Sequence, residues 1–369
     1  MSLRMPNLVS SLAHWRWPRL SGPMKPGYTL VLAVPPDLPV FLRLAVGVCR
    51  AQDTEGLNET LVVADHDVAG FESEVDRVAC EWPAGRVRLV PHTPVSRFVR
   101  ALQTSGAMIH WHQIVRAVSV ACSQRIVLHD VDMMTDDRGL LRRLYREVEE
   151  GGVDCVGLEA PGVGPSRLVL PRYAHAVPCW EMALSAEWLR SMRPNALMPR
   201  KVKSRGENVH IETMVDAQGG LAADRVRGIR PDRGSYAHFS VLISTYRKYQ
   251  RSEGAYHDHR FRLLLIRLLA DAMDADGEYA LPSAEELVRG IDDPACRVHY
   301  LPSDAANYKV FRDEAERMLS LGLFGTRAVK GMREVLACFD AYFGWGATVS
   351  VAGRENGASS GSLTGASIA

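Results

Sequence analysis

The sequence predicts an α/β fold: a mostly parallel sheet flanked by helices, followed by a helical C-terminal extension. Three observations predict it. Short aliphatic runs at 28–34, 60–64 and 126–128 read as strands buried on both faces, as parallel sheets require. Between them lie stretches whose apolar residues recur three and four apart, the helical period. The run at 126–128 then leads into Asp130-Val131-Asp132, two carboxylates at the carboxyl end of a central strand, where open α/β sheets place their ligands.

Composition narrows the class. Of 369 residues, 47% are hydrophobic and 24% charged, which is ordinary for a globular protein, and the formal net charge is +1. That balance excludes whole-chain electrostatic attraction to nucleic acid or a membrane. No stretch approaches the roughly 18–20 apolar residues that span a bilayer, and residues 1–24 lack the unbroken apolar core of a secretory signal. The seven cysteines are scattered with no C-x-x-C pair, which reads as a reduced, cytoplasmic protein.

Four segments are expected. Residues 1–27, with Trp15, Arg16, Trp17, Arg19 and four prolines, read as a poorly ordered N-terminal arm, or else as a basic-aromatic contact with a membrane surface or partner. Residues 28–250 form the catalytic domain and 251–345 a helical region, and the Gly/Ser/Ala-rich 346–369 a disordered tail.

Within the domain, the strand at 28–34 stops at Pro35-Pro36 and a helix follows over 39–52. The strand at 60–64 ends on Asp65; a helix at 71–79 and a short strand at 87–90 complete the first half. Residues 107–123 read as a helix. His110 and His112 cannot share one of its faces, which argues against a paired metal site, while Arg116 is a candidate phosphate ligand. After the acids come a helix over 137–150, a strand over 153–158 and a Gly/Pro-rich loop over 160–172. Residues 175–182 read as extended, demoted by Pro178 to an edge or irregular strand, with Trp180 and Glu181 as candidate pocket residues. A short helix at 185–192 ends before Pro194.

Arg190, Arg193, Arg200, Lys201, Lys203 and Arg205 then read as a mobile basic loop, either a lid over a diphosphate or a landing surface for an anionic acceptor. Residues 208–216 read as a helix start that puts Glu212 and Asp216 on one face. A strand at 226–229 precedes His238, and helices follow at 258–274, 283–290, 309–321 and 327–343. The last is apolar enough to pack on the core or on a second subunit in a homo-oligomer. A basic-aromatic cluster over 246–262 reads as a solvated helix face or a phosphate contact.

The acid pair carries the chemistry. Asp130 and Asp132 are alternate positions of an extended segment and so project to one side. Two such carboxylates repel unless something positive lies between them. Mg²⁺ in particular is held by one or two carboxylates together with substrate phosphates.

With Asp130/Asp132 after its aliphatic strand, the strand-helix half starting at Thr29, the acids Glu212 and Asp216, and the later His238, residues 28–240 resemble the nucleotide-sugar glycosyltransferases of the GT-A fold. That resemblance implies a Rossmann-like sheet and a metal-dependent hexosyltransferase. It implies Mn²⁺ or Mg²⁺ held by Asp130, Asp132 and His238, with Asp132 the direct ligand. It further implies a UDP-sugar donor by default and a catalytic base at Glu212 or Asp216; Pro35, Asp65, Arg116 and Asp130 are the candidate donor contacts, and the pocket residues Trp180 and Glu181 the candidate acceptor contacts. The acceptor stays unidentified: a glycan, a lipid-linked glycan or a nucleic acid. Two departures stand out. Glu212 and Asp216 are four apart rather than adjacent, which leaves inversion or retention open, and Asp65 lacks the Gly-Ser neighbours often seen there. The alternatives are a haloacid-dehalogenase-type phosphatase, a nucleotidyltransferase, and a nucleotide-sugar-binding protein without turnover. The first expects Thr or Val where Met134 stands, and the second a glycine-rich loop where Pro35-Pro36 stands.

Overall fold

The computed structural model describes residues 9–10, 12–82, 86–103, 105–159, 170–204, 207–232, 234–273 and 279–345. The expected tail at 346–369, the first eight residues of the arm, most of the Gly/Pro-rich loop (160–169) and Arg205 lie outside the described residues.

The chain opens with β1 (Lys25–Val34), α1 (Val40–Arg50), β2 (Leu57–Ala64), α2 (Phe71–Glu81) and β3 (Arg86–Leu89). α3 (Pro94–Leu102) and α4 (Gly106–Val120) lead into β4 (Ser123–Asp130), β5 (Met133–Thr135), α5 (Leu140–Glu150), β6 (Cys155–Leu158) and β7 (Glu181–Ser185). Seven strands form one sheet in the order β10-β6-β7-β4-β1-β2-β3, where β10 is Val226–Ile229. Four pairings are parallel; β7 alone runs against its neighbours β4 and β6. The sheet is thus mostly parallel and flanked by helices, as the sequence predicts.

Alternation along the strands divides the core. Leu30, Leu32, Val62 and Val127 face one layer with α1, α2 and α5, while Val31, Leu61, Ile126 and Leu128 face α4 and α6 (Ala186–Ser191). The chain moves outward from β1 to β3, then returns to place β4 on the other side of β1. That reversal is the topological switch point, and the crevice outside it is where such sheets bind ligands. In register, Ala33 lies beside Asp130 there.

Three sequence expectations are corrected. The segment at 175–182 is not an edge strand: β7 begins only at Glu181, three residues past Pro178, and is buried throughout in the sheet interior. The basic loop is a β-hairpin, β8 (Arg200–Ser204) paired with β9 (Glu207–Ile211). Its period-two pattern is hidden by the density of charge: Val202, Val209 and Ile211 pack inward while Lys201, Lys203, Asn208 and His210 are exposed. The expected helix at 208–216 is therefore strand, and α7 (Val215–Gln218) starts after Met214, whose φ of 70° breaks the backbone direction. Glu212 and Asp216 do not share a helix face.

Two helices escaped the sequence reading. α3 carries a readable signal, since the Thr93 hydroxyl accepts from the Ser96 N–H and Pro94 occupies the first turn. α8 (Leu242–Gln250) begins after Val241, at a left-handed φ of 63° that no periodicity foretells.

The C-terminal helices α9 (Arg260–Met273), α10 (Ala284–Arg289), α11 (Ala305–Ser320) and α12 (Thr326–Phe343) share the sheet's core: Phe261, Leu264 and Leu336 belong to the same cluster as Leu30 and Val127. The hydrophobic core runs unbroken across the boundary expected at 250. No helix of the described residues is long and apolar enough to cross a membrane, and all seven cysteines are unpaired.

The N-terminal stretch from Leu12 onward is not a loose arm. The Trp17 indole N–H donates to the carbonyls of Leu189 (3.1 Å) and Met192 (2.7 Å), and the His14 ring packs on Trp111 and His112. Burial and then the Arg116 charge lower His14 to about 4; burial and the His14 and Arg116 charges lower His112 to about 3. These histidines fold neutral, whereas an unfolded chain protonates them near pH 6.5. Acidification therefore favours the unfolded state, and their contribution, complete above about pH 6.5, is lost as pH falls toward about 4. The melting temperature should drop across that window, and His112→Phe should flatten the slope; an unchanged slope in the variant would refute the assignment.

Candidate functional site

β4 ends at Asp130, and a two-residue turn, Val131-Asp132, delivers the chain into β5. The two carboxylates thus converge through a turn and not through strand alternation. β5 pairs antiparallel with β11 (Tyr236–His238), with His238 opposite Met133. This small ribbon folds His238 back over the acids, with Nε2 3.7 Å from Asp130 Oδ2 and 3.5 Å from Asp132 Oδ1. One ligand atom from each of the three lies within 4.8 Å of the others. Trp180 fixes the ring from below, stacked at 4.5 Å and 7°, and its carbonyl accepts from the Asp130 N–H at 2.8 Å.

The electrostatics follow from the crowding. Burial raises Asp132, and the neighbouring Asp130 charge raises it further. Burial also works against Asp130, but the His238 hydrogen bond and the nearby His110 and His238 charges outweigh it and hold that carboxyl low. Burial disfavours a proton on His238, yet the two carboxylates raise it to about 10. An imidazolium thus answers the acid pair. Two carboxylate oxygens and an imidazole nitrogen also form a donor set suited to Mn²⁺ or Mg²⁺.

These three residues line a cavity of about 980 Å³ that also takes in Asp65, Arg100, His110, Trp180, His210, Glu212, Arg247 and Lys248. Asp65 sits at the end of β2, where the Arg247 guanidinium (2.5 Å) and His66 (2.6 Å) hold it. Burial alone would raise it, but these partners lower it to about 2. Arg247 also binds Asp37 at 2.9 Å, which neutralises the Asp37–Asp65–His66 group that would otherwise suit a cation. Val241, in the cavity wall, and Met214, buried next to the lining residue Thr213, hold left-handed backbone, a strain of about 1–3 kcal/mol each.

The other sequence candidates divide. Trp180 and Glu212 face the cavity. Pro35 is buried and outside its lining. Arg116 is also outside the lining: its guanidinium donates to the carbonyls of Ala64 (2.5 Å) and Val90 (2.7 Å), so it ties the ends of β2 and β3 and reaches no phosphate position. Asp216 accepts from the Tyr173 hydroxyl at 2.7 Å and pairs with Arg200 at 3.0 Å, anchoring the β8–β9 hairpin from beneath. Glu181 is sealed under the sheet, its Oε2 2.7 Å from His129 Nδ1. An acceptor cannot reach it. Sequence reading misses Arg100, which lies on the unrecognised α3, and His210; it considers His110 only as a metal ligand, and Arg247 and Lys248 only as members of the basic-aromatic cluster over 246–262.

No family model matches the sequence, and no curated protein matches it. Solved structures do. A glucosyl-3-phosphoglycerate synthase from Mycobacterium tuberculosis in complex with phosphoglyceric acid is 16% identical over 61% of this chain and 79% of its own, with a TM-score of 0.39. A mannosyltransferase from Pyrobaculum calidifontis in complex with GDP-Man and Mn²⁺ is 16% identical over 92% of this chain and 94% of its own, with a TM-score of 0.41. Similarity at that level carries no conclusion about this chain's activity, which must come from its own residues.

One structural consequence is testable at once. The His129 and Glu181 side chains are both 0% exposed. Breaking a buried pair of this kind costs about 3–5 kcal/mol, whereas replacing both members with apolar residues is often neutral. Denaturant unfolding should show Glu181→Leu destabilised by that amount and the double variant His129→Leu/Glu181→Leu largely restored; equal losses in both would count against a paired role.

Proposed function

We propose that this protein is a metal-dependent glycosyltransferase that moves a sugar from a nucleotide-diphosphate donor, by default a UDP-sugar, to an acceptor nucleophile. The observation that carries the reading is the convergence of Asp130, Asp132 and His238 at the switch point of a mostly parallel sheet, inside a cavity with cationic side chains on its wall.

The residues divide the work. Asp132, Asp130 and His238 would hold Mn²⁺ or Mg²⁺, which when bound neutralises charge developing on the departing diphosphate. Arg100 and Lys248 face the same cavity and stabilise that charge from the wall. Asp65, just past β2 and held by Arg247 and His66, would accept from the donor's ribose or base. Of the cavity carboxylates outside the Asp130–Asp132–His238 group, Asp65 is paired with Arg247 and Glu253 with Arg251; the remaining one, Glu212, takes the acceptor's proton as the oxygen attacks the anomeric carbon. Asp216, engaged with Tyr173 and Arg200, supports the hairpin that presents Glu212. Trp180 offers an aromatic wall to the transferred sugar or the acceptor. We place the protein in the cytoplasm, in keeping with its unpaired cysteines.

Two variants separate binding from chemistry. Asp132→Ala should weaken Mn²⁺-dependent binding of UDP by at least about tenfold, as loss of a metal ligand requires, with the melting temperature retained. Calorimetry showing equal affinity would exclude the metal role. Glu212→Gln should leave that binding intact and slow turnover of the UDP-sugar by about 10²–10⁴-fold. Unchanged turnover would remove Glu212 as the base.

A further inference from the structure

The outer face of the β8–β9 hairpin has no role in the donor half of this scheme. In the ladder Lys201 lies opposite His210 and Lys203 opposite Asn208, so all four project from one face. Those four side chains are exposed, while the opposite face, with Val202, Val209 and Ile211, packs against Tyr173 and Val215. His210 lines the cavity, and Lys201 is its neighbour across the ladder. Glu212 follows His210 by two residues and also lines the cavity.

The charges in and around the cavity can be assigned one by one. Arg247 is committed to Asp37 and Asp65, Arg251 to Glu253, and Arg200 to Asp216. Arg100 and Lys248, on α3 and α8, serve the donor diphosphate. Among the described residues Lys201 and Lys203 have no carboxylate partner, and they stand on the element that carries the base rather than on the donor wall. A cationic face left uncompensated beside the carboxylate that takes the acceptor's proton is a complement to charge on the acceptor itself.

We infer that the acceptor is an anion, carrying a phosphate or carboxylate group that Lys201, His210 and Lys203 hold while Glu212 takes the proton from its attacking hydroxyl. This rests on the glycosyltransferase reading above. The spacing gives the acceptor a scale. Alternate strand residues are roughly 7 Å apart, so the anionic group and the attacking hydroxyl are separated by a few bonds, as in a small hydroxy acid or sugar phosphate.

The test titrates inorganic phosphate into the full chain already holding Mg²⁺ and UDP, comparing wild type with K201E/K203E by calorimetry. Both lysines are exposed, and a melting curve checks that the variant folds. Phosphate should bind the wild type and weaken by at least about tenfold in the variant, as reversal of two contacting charges demands. The affinity for Mg²⁺ with UDP, titrated separately, should change by less than about twofold, because that site lies on the other wall. Acetate run in parallel tells a carboxylate preference from a phosphate preference. Equal affinity of the two proteins for the anion that binds, or binding of neither phosphate nor acetate by the wild type, overturns the inference. Failure of the wild type to bind Mg²⁺ with UDP overturns the glycosyltransferase reading instead.

Discussion

Asp130 and Asp132 sit close enough to repel at the half-buried head of a cavity, and much of the surrounding architecture answers that repulsion. β5 is only three residues long, yet its pairing with β11 brings His238 from about a hundred residues downstream to within 3.7 Å of both acids. Trp180 stacks on the ring and accepts the Asp130 N–H through its carbonyl, so one residue orients both the cation and one anion of the group. Without the ribbon, the acids would need to bind protons or retreat to solvent. With it, they keep the geometry of a metal site.

A second charge assembly closes the opposite wall. Arg247 reaches from α8 to Asp65 at the end of β2 and to Asp37 just beyond β1, fastening the helix across the carboxyl ends of two strands. Lys248, next in sequence, takes its place in the cavity from that latch. Because α8 leads directly to α9, whose Leu264 shares a core cluster with Leu30 and Val127, this wall is backed by the main hydrophobic core. The helical region after 250 is therefore part of what holds the donor wall in place.

How legible this was depended on whether the pattern was local. β1, β2, β4 and, of the helices between them, α1, α2 and α4 read directly, since aliphatic runs and helical periods involve neighbouring residues only. Asp130-Val131-Asp132 read as a ligand site for the same reason, although a turn rather than an extended strand brings the acids together. The hairpin did not read, because Arg200, Lys201 and Lys203 masked the alternation of Val202, Val209 and Ile211. Arg116 and Glu181 misled for a different reason. Their chemistry suits a ligand, but the fold turned Arg116 to backbone carbonyls and buried Glu181 against His129. Which partner a charged side chain finds is a tertiary fact.

The two strained residues connect these threads. Val241 and Met214 hold φ of 63° and 70°, conformations that a β-branched or bulky side chain adopts only under compulsion. Each sits at a sharp change of direction: Val241 between β11 and α8, Met214 between β9 and α7. The first bend lets His238 face the acids while α8 turns its cations to the same cavity. The second lets Glu212 face the cavity while Asp216, four residues on, is turned beneath the hairpin to Tyr173 and Arg200. Relaxing the Met214 bend to ordinary helix would put Glu212 and Asp216, four residues apart, on one face. Strain at these two points is what allows one continuous chain to supply metal ligands, donor cations and a base from separate directions.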